Sequence, residues 1–493
     1  MTNVINVGIA GTFDVENLGD LLFPIIAQSA LGARDARIKV NPYSPNARAK
    51  NVWPYEVSSL VDLRHAVEKL DGMLIGGGNI IRFDGAYPIE VPAELRLPTA
   101  YWLSPALAAA SAGKPIIWNA VGVYAGSPAA PWLSSAVEAA ISASSLIGVR
   151  DQVSKEYLDE LVPGNDVRIV PDTAFYLSVT HPFSEPTAEF LAWKKQHGIN
   201  GEYIVLQANS RIADYRAEVE AALSAHPDAA VVILPVCWCH GDRAEDFPNL
   251  SRPLARSNAW LPPLLIVEIL AGARLIIGSS LHLCIIGIAY GVPVVRAPVS
   301  PVPDRKFELL SEFTGICLID NAIALKRIIN RSLGVEPKAR KASKLLSTYW
   351  DNVAAIILER TIETSAPLAG LIIDLLTASE DLATVKAALV EMTEHRDAII
   401  RVMATSSLSG NVTAALQVSQ LPVSNPDHAP TGLSWGDTAA FGELAGWHWL
   451  TAARPDNVNF GFQVGISDTN GQVRYRTRQN GEWKAWRGFA PIP

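Results

Sequence analysis

Two rhythms of apolar positions alternate along the first 360 or so residues. Short apolar runs predict buried strands, and longer stretches with apolar residues three and four apart predict helices. The run Val4–Ala10 predicts a first strand, followed by a glycine-containing turn and a helix over about Leu18–Leu31. Lys39–Tyr43 predicts a second strand and Asp62–Leu70 a helix, while Gly72–Ile75 reads as a strand running into Gly76-Gly77-Gly78. Pro98–Ala112 reads as a helix, Pro115–Val121 as a strand and Leu133–Ala143 as an alanine-rich helix. The pattern pauses near His181-Pro-Phe-Ser-Glu-Pro186 and restarts. Strands are then predicted at Tyr203–Gln207, Ala230–Pro235, Leu275–Ile277 and Val292–Arg296. The helices between them fall at Asp214–Ala225, Pro263–Ala271 and His282–Tyr290, with closing helices near Asn321–Leu333 and Lys338–Glu359. Strands alternating with helices imply parallel sheets covered on both faces. The expected fold class is therefore α/β, with two Rossmann-like domains at residues 1–182 and 183–362. The cleft where the carboxyl ends of the two sheets meet is the expected ligand site.

The rhythm changes after Pro367. Leu368, Leu371, Leu375, Ala378, Leu382, Val385, Leu389, Met392, Arg396, Ile399 and Met403 follow spacings of three and four. That is an a/d repeat of about five heptads. It suits a coiled-coil-like stalk over 363–405 that joins copies of the chain, or a long amphipathic helix packed on its own chain. Residues 406–493 carry five of the 13 Trp. Within them Phe460–Ile466 alternates at period two, Asp468-Thr-Asn-Gly471 signals a turn, and Gln472–Arg478 reads as the returning strand of a hairpin. A small all-β domain is expected there.

Composition narrows the class. The chain has 493 residues, 49% apolar and 18% charged, which is enough for large cores and excludes a disordered protein. A net charge of −8 argues against a dedicated nucleic-acid binder. Mean hydropathy is +0.17, yet the most apolar stretches, Leu264–Ile277 and Leu283–Val295, are interrupted by Glu268, Arg274 and Pro293. No transmembrane segment is expected. Met1-Thr-Asn-Val-Ile-Asn6 lacks a basic region ahead of a signal-length apolar run, so the expected location is cytoplasmic. Four cysteines in this length form no disulfide framework.

The strongest single candidate for chemistry is His282, in Gly278-Ser-Ser-Leu-His-Leu-Cys284. Ser279 or Ser280 would cap the helix there, and bare amides behind them could hold an anion beside a proton-transferring histidine. The plainer reading is a core histidine in a first helical turn. Asn17-Leu-Gly19-Asp20 follows the first strand, where Asn17 and Gly19 permit unusual backbone angles and Asp20 could cap a helix or bind a hydroxyl. Gly77, Gly78 and Asn79 form a third strand-end turn, which either lets a ligand approach the backbone or is simply tight. Arg150 could grip a phosphate or carboxylate, or form a structural ion pair beside an N-capping Asp151. Pro171-Asp172 reads as a turn. Cys237-Trp-Cys-His240 lacks a second ligand pair at zinc-finger spacing, so no metal is expected. It reads as a strand-end loop in which Trp238 stacks on a sugar while His240 and Asp242 reach hydroxyls.

Asn17-Leu-Gly-Asp20, the Gly76–Gly78 turn, Arg150-Asp-x-x-Ser154, Pro171-Asp172 with Phe175, and Ser280-Leu-His282 followed by Gly291-Val-Pro293 occur together in this order. The set resembles the polysaccharide pyruvyl transferase family over residues 4 to about 300. The resemblance implies a GT-B-like pair of domains. It also implies transfer of pyruvate from phosphoenolpyruvate onto two sugar hydroxyls, giving a cyclic ketal. Many members carry Arg-x-His where this chain has Ser280-Leu-His282, so Arg150 or Arg296 would take over the missing cation. On this reading His282 is the acid/base. Ser279, Ser280 and nearby amides hold phosphate, and Arg150 holds phosphate or carboxylate. Asp20, grouped with His282 and Arg150 at the reaction centre, faces the sugar with Asn17 and Asp242. No cofactor or metal is obligatory beyond phosphoenolpyruvate as donor, and the partner is a saccharide acceptor, lipid-linked or polymeric. Val473–Trp486 resembles the knob-type repeat of phage and pyocin tail fibres, which implies a glycan-facing or oligomer-forming module. The alternatives are a GT-B-type nucleotide-sugar glycosyltransferase and a non-catalytic glycan-binding protein.

Overall fold

In the computed structural model the described residues are 4–359, apart from 52, 85–86, 93–94, 96–99, 125–130 and 300–304, together with strands between 432 and 488. They belong to two compact units, Met1–Ala369 and Gly370–Pro493. The heptad segment 363–405 lies outside the described residues.

The first sheet of unit 1 holds seven parallel strands. They are β1 (Ile5–Ala10), β2 (Ile38–Ser44), β3 (Ser58–Ser59), β4 (Gly72–Ile75), β5 (Ile116–Val121), β6 (Leu146–Val149) and β7 (Val167–Ile169), in the order β3-β2-β1-β4-β5-β6-β7. The second sheet has β8 (Tyr203–Gln207), β9 (Ala230–Leu234), β10 (Leu254–Arg256), β11 (Leu275–Gly278), β12 (Val294–Arg296) and β13 (Ile316–Leu318). Its order is β10-β9-β8-β11-β12-β13, again all parallel. Every residue of β4, β5, β6, β8 and β11 is buried. That explains why these strands read as unbroken apolar runs rather than alternating ones.

Each order reverses once, between β1 and β4 and between β8 and β11. At such a switch point neighbouring crossovers leave in opposite directions and open a crevice at the carboxyl ends of the strands. The two predicted Rossmann-like halves are therefore present. The predicted helix Asp62–Leu70 is not one helix: a single α-turn, Leu63–Ala66, is flanked by 3-10 turns at Leu60–Asp62 and Val67–Lys69. A helix at Ala188–Gln196 and the short edge strands β3, β10 and β13 carried too few apolar positions to be predicted.

The last helix of the unit, Pro337–Glu359, follows the second half in sequence but lies against the first. Arg34 Nη2 donates to the Ser347 carbonyl at 2.7 Å, and Tyr349 Oη donates to Asn119 Oδ1 at 3.1 Å. Its apolar stripe, with Leu346, Trp350, Val353 and Ile357, joins one continuous core. That core also takes Val7 and Ile26 from the first half and Val205, Ile269 and Ile286 from the second.

In unit 2 the strands β14 (Gly432–Trp435), β15 (Trp447–Arg454), β16 (Asn457–Ser467), β17 (Val473–Gln479) and β18 (Glu482–Trp483) pair in sequence order, and β19 (Arg487–Gly488) pairs with β17. The hairpin read from Phe460–Arg478 is present as β16 against β17, with Val464 opposite Tyr475.

Trp350 is completely buried where the closing helix meets this shared core. Trp350→Ala should cost about 3–5 kcal/mol by leaving a large cavity. Because both halves share the core, urea unfolding should show one displaced transition for unit 1, not a loss confined to one half.

Candidate active site

The two switch points face each other within unit 1. From the first half come the loop after β1, the glycine turn after β4, Arg150 after β6 and Asp172 after β7. The second half contributes Gln207 at the end of β8 and the segment Ser279–His282 after β11. The helix Leu18–Gly32 lies beside the helix Leu281–Tyr290.

Asp172 is the centre of the arrangement. Its Oδ2 lies 3.4 Å from Arg150 Nη1 and 3.5 Å from His282 Nε2. Its Oδ1 accepts the Ala174 amide at 3.0 Å, which caps a short 3-10 turn. All three side chains are buried. Burial raises the Asp172 carboxyl, but His282 and Arg150 outweigh it and hold it below its usual range. The sequence reading of Pro171-Asp172 as only a turn is therefore corrected. Its capping role is local, and its second oxygen links the two halves.

Arg150 is also 3.5 Å from Asp151 Oδ2, while Asp151 Oδ1 caps the following helix through the Ser154 amide at 2.7 Å. Both readings of Arg150 thus meet in one place. It is ion-paired, yet its Nε and Nη2 have no hydrogen-bond partner. Asn79 Oδ1 and His282 Nε2 are likewise buried without one. Arg150 and Asn79 meet over Gly122, where a Cβ would lie 2.6 Å from Asn79 Oδ1 and 2.7 Å from Arg150 Nε. Buried polar atoms are nearly always hydrogen-bonded, so a group of atoms without such bonds makes this the candidate ligand position.

Asp20 sits on the first turn of its helix, accepting from Asn17 Nδ2 at 2.8 Å. Burial pushes its carboxyl up to about 6, against the opposing pull of His282, Thr12, Arg150 and Asn17. Gly19 has ordinary helical backbone, and Asn17 is extended at φ −126°. The expectation of unusual angles there is corrected: what Gly19 supplies is space. A Cβ on Gly19 would lie 1.9 Å from His282 Nδ1. Phe23 meets the same imidazole edge-on, with ring centroids 5.4 Å apart. Gly77, at φ +72°, faces Phe23 in turn, since a Cβ there would lie 2.3 Å from the ring. Gly78 borders Asp20 Oδ1. The glycine turn therefore packs beneath the Asp20–Phe23 helix.

Two expectations about the second half also change. Ser280 is the N-cap of its helix but makes no side-chain cap bond. The amides of Ser279 and Ser280 are not bare: both donate to Gln207 Oε1, at 2.7 and 2.9 Å. Gln207, which sequence reasoning missed, also donates through Nε2 to both carboxylate oxygens of Asp242. Asp242 Oδ2 accepts from the Val236 and Cys237 amides as well, both at 3.0 Å. Asp242 is thus buried and engaged by its own loop, and the assignment to a sugar hydroxyl is withdrawn. Trp238 is half-buried against Trp260, with Arg243 over its ring at 5.0 Å. His240 is exposed along part of its side chain, while partial desolvation of its ring, with Lys306 and Arg82 nearby, lowers its pKa. Arg296 stacks its guanidinium on Phe307 at 3.7 Å.

A sequence model of the polysaccharide pyruvyl transferase family matches residues 17–300, more than half of the chain. The chain belongs to that family. No curated protein matches it in sequence. Solved structures similar to it include UDP-GlcNAc 2-epimerase from Methanocaldococcus jannaschii, 14% identical, covering 70% of this chain and 99% of that one at a TM-score of 0.45. A putative UDP-N-acetylglucosamine 2-epimerase from Listeria monocytogenes is 11% identical, over 71% and 97% of the two chains, with a TM-score of 0.44. The glycosyltransferase SnogD from Streptomyces nogalater is 12% identical, over 72% and 100%, with a TM-score of 0.39. Among the described residues no helix is long and apolar enough to cross a membrane.

Two substitutions test this geometry. Gly19→Ala should displace the imidazole and cost about 1–3 kcal/mol through overpacking, read by urea denaturation. Asp20 has a folded pKa of about 6 against an ordinary aspartate value of 3.8. Its proton is therefore held more tightly in the folded state, so its contribution is full below pH ~4 and is lost as pH rises through about 6. Asp20→Asn should remove that slope, worth up to about 3 kcal/mol, so that wild type and variant diverge between pH 4 and 7 in the variant's favour.

Proposed function

We propose that the chain transfers pyruvate from phosphoenolpyruvate to two hydroxyls of a saccharide, forming a cyclic ketal and releasing phosphate. The observation that supports this reading is the set of buried polar atoms without hydrogen-bond partners, Arg150 Nε and Nη2, Asn79 Oδ1 and His282 Nε2, at the Arg150–Asp172–His282 ion pairs and beside Arg150, in a member of this family. A guanidinium with donors not spent on hydrogen bonds suits a phosphate or carboxylate, and an imidazole held at ion-pair distance by Asp172, without a hydrogen bond, suits proton transfer.

The reaction needs one proton delivered and two removed. His282, oriented by Asp172, gives a proton to the methylene carbon of the donor, leaving positive charge at C2. A sugar hydroxyl adds to C2 and loses its proton. The C2–O bond to phosphate then breaks, phosphate departs with the bonding pair, and the second hydroxyl closes the ketal with loss of its own proton. Arg150 balances the donor's negative charge, and Asp172 stabilises the imidazolium without leaving its place. Asp20, ionising near pH 6, accepts a hydroxyl proton, with Asn17 beside it. Trp238 and His240 line the approach for the sugar. No step requires a metal.

The test is a thermal-shift titration with phosphoenolpyruvate and, separately, UDP- and GDP-sugars, followed by phosphate release with candidate acceptors. Phosphoenolpyruvate should stabilise the wild type. His282→Gln should retain donor binding while lowering phosphate release about 100- to 10,000-fold, the range for loss of a general acid. Stabilisation by a nucleotide sugar alone would overturn the reading in favour of a glycosyltransferase. No stabilisation and no phosphate release with any acceptor would favour a glycan-binding scaffold.

A further inference from the structure

The loop that follows β9 brings three soft or borderline ligands together at the edge of the saccharide approach, away from Asp172, Arg150 and His282. Cys237 Sγ and Cys239 Sγ are 3.4 Å apart. The ligand atoms of Cys237, Cys239 and His240 all lie within 4.8 Å of one another. In a tetrahedral zinc site with Zn–S near 2.3 Å and Zn–N near 2.0–2.1 Å, neighbouring ligand atoms are roughly 3.4–3.8 Å apart. The S···S value in such a site is about 3.8 Å, so the two sulfurs need to part by only about 0.4 Å, and the imidazole ligand atom lies within 4.8 Å of both. Sequence spacing gave no reason to expect this, because a C-x-C-H run supplies three ligands and no second pair.

The loop is also held for the purpose. The Trp238 and Cys239 amides donate to the Glu16 carbonyl at 2.8 and 3.4 Å. Gly241 turns the chain in the left-handed region at φ +88°, and its amide donates to the Trp238 carbonyl. Asp242 then fixes the Val236 and Cys237 amides from below. These contacts order the backbone of all three ligands without using any of their side-chain donor atoms beyond the sulfur pair. A preordered ligand set loses little entropy when a cation enters.

We propose that Cys237, Cys239 and His240 bind one zinc-class divalent cation, with a fourth position left to water or to an oxygen of a bound ligand. Two thiolates and an imidazole form a donor set that selects zinc over calcium or magnesium. Binding releases the two thiol protons to solvent. The site sits where the second half docks on the first: Leu18 N donates to the Val236 carbonyl at 2.9 Å, and Asn17 bridges Cys237. An occupied site therefore braces that junction, independently of which reaction the cleft performs.

The experiment uses the whole untagged chain, stripped with chelator and titrated with Co²⁺ and then Zn²⁺. Cobalt should give a thiolate charge-transfer band in the near ultraviolet and intense visible bands, saturating at one per chain and bleached by zinc. Cys239→Ser should roughly halve the charge-transfer band. His240→Ala, a change at an exposed position, should keep the band but weaken binding more than tenfold, since even outer-shell partners of metal ligands are worth about 10–100-fold. Cys317→Ser should leave both unchanged. Absence of the band in folded wild type would overturn the proposal, as would a band insensitive to Cys239→Ser. Loss of two free thiols in air despite added zinc would also overturn it, identifying a redox pair instead.

Discussion

The carboxylate of Asp172 is the constraint on which the site depends. Arg150 is 3% exposed and its charge cannot be carried at that depth without a partner. Asp172 supplies one at 3.4 Å and holds His282 at 3.5 Å with the same oxygen. Because Arg150 and Asp172 end strands of the first sheet and His282 begins a helix of the second half, this oxygen also fixes the relation between the halves. Removing it would leave an uncompensated guanidinium and an unoriented imidazole together. The low-lying carboxyl of Asp172 and the raised carboxyl of Asp20 show the environment separating two nearby acids. One stays ionised as a partner for cations, and the other can exchange a proton near neutrality.

Apolar packing makes that charge network possible. The shared core runs from β1 through the helix Leu18–Gly32 into the second half, and the closing helix returns across it. Water is thereby excluded from the region in which the charged side chains meet, which strengthens each pairing and raises the cost of any unpaired group. The close approach of the two halves rests on the missing side chain at Gly19, because His282 occupies the space a Cβ would fill.

The strands were largely legible because a strand buried on both faces needs an uninterrupted apolar run, and few other structures do. The hairpin of β16 and β17 was legible from its turn and its alternation. His282, Arg150 and Asn17-Leu-Gly19-Asp20 could be singled out because they stand at strand ends, where chemistry-bearing residues have few packing reasons to be. What could not be read was any contact between residues far apart in sequence. Asp172 looked like a cap because it is one, through Oδ1, while Oδ2 acts across 110 positions on His282. Asp242 read as a loop acid reaching a sugar hydroxyl, and only the fold turns it inward onto amides. The closing helix carried its amphipathic stripe plainly, but nothing in that stripe says which half it covers.

Gln207 joins the two ends of this polar network. Its amide oxygen takes the two amides at Ser279 and Ser280 that head the His282 helix, and its nitrogen holds Asp242. Asp242 in turn holds the Val236–Cys237 backbone, which docks on Asn17 and Leu18, and Asn17 donates to Asp20. The polar atoms thus form a chain from the second switch point, through the cysteine loop, to the first. An anion that takes the Ser279 and Ser280 amides has to displace a neutral carbonyl oxygen, an exchange favoured by the positive end of the helix. The displaced amide would loosen its grip on Asp242, and with it the loop that joins the halves. The Gln207 amide thus couples the amides at the head of the His282 helix to the loop that joins the halves.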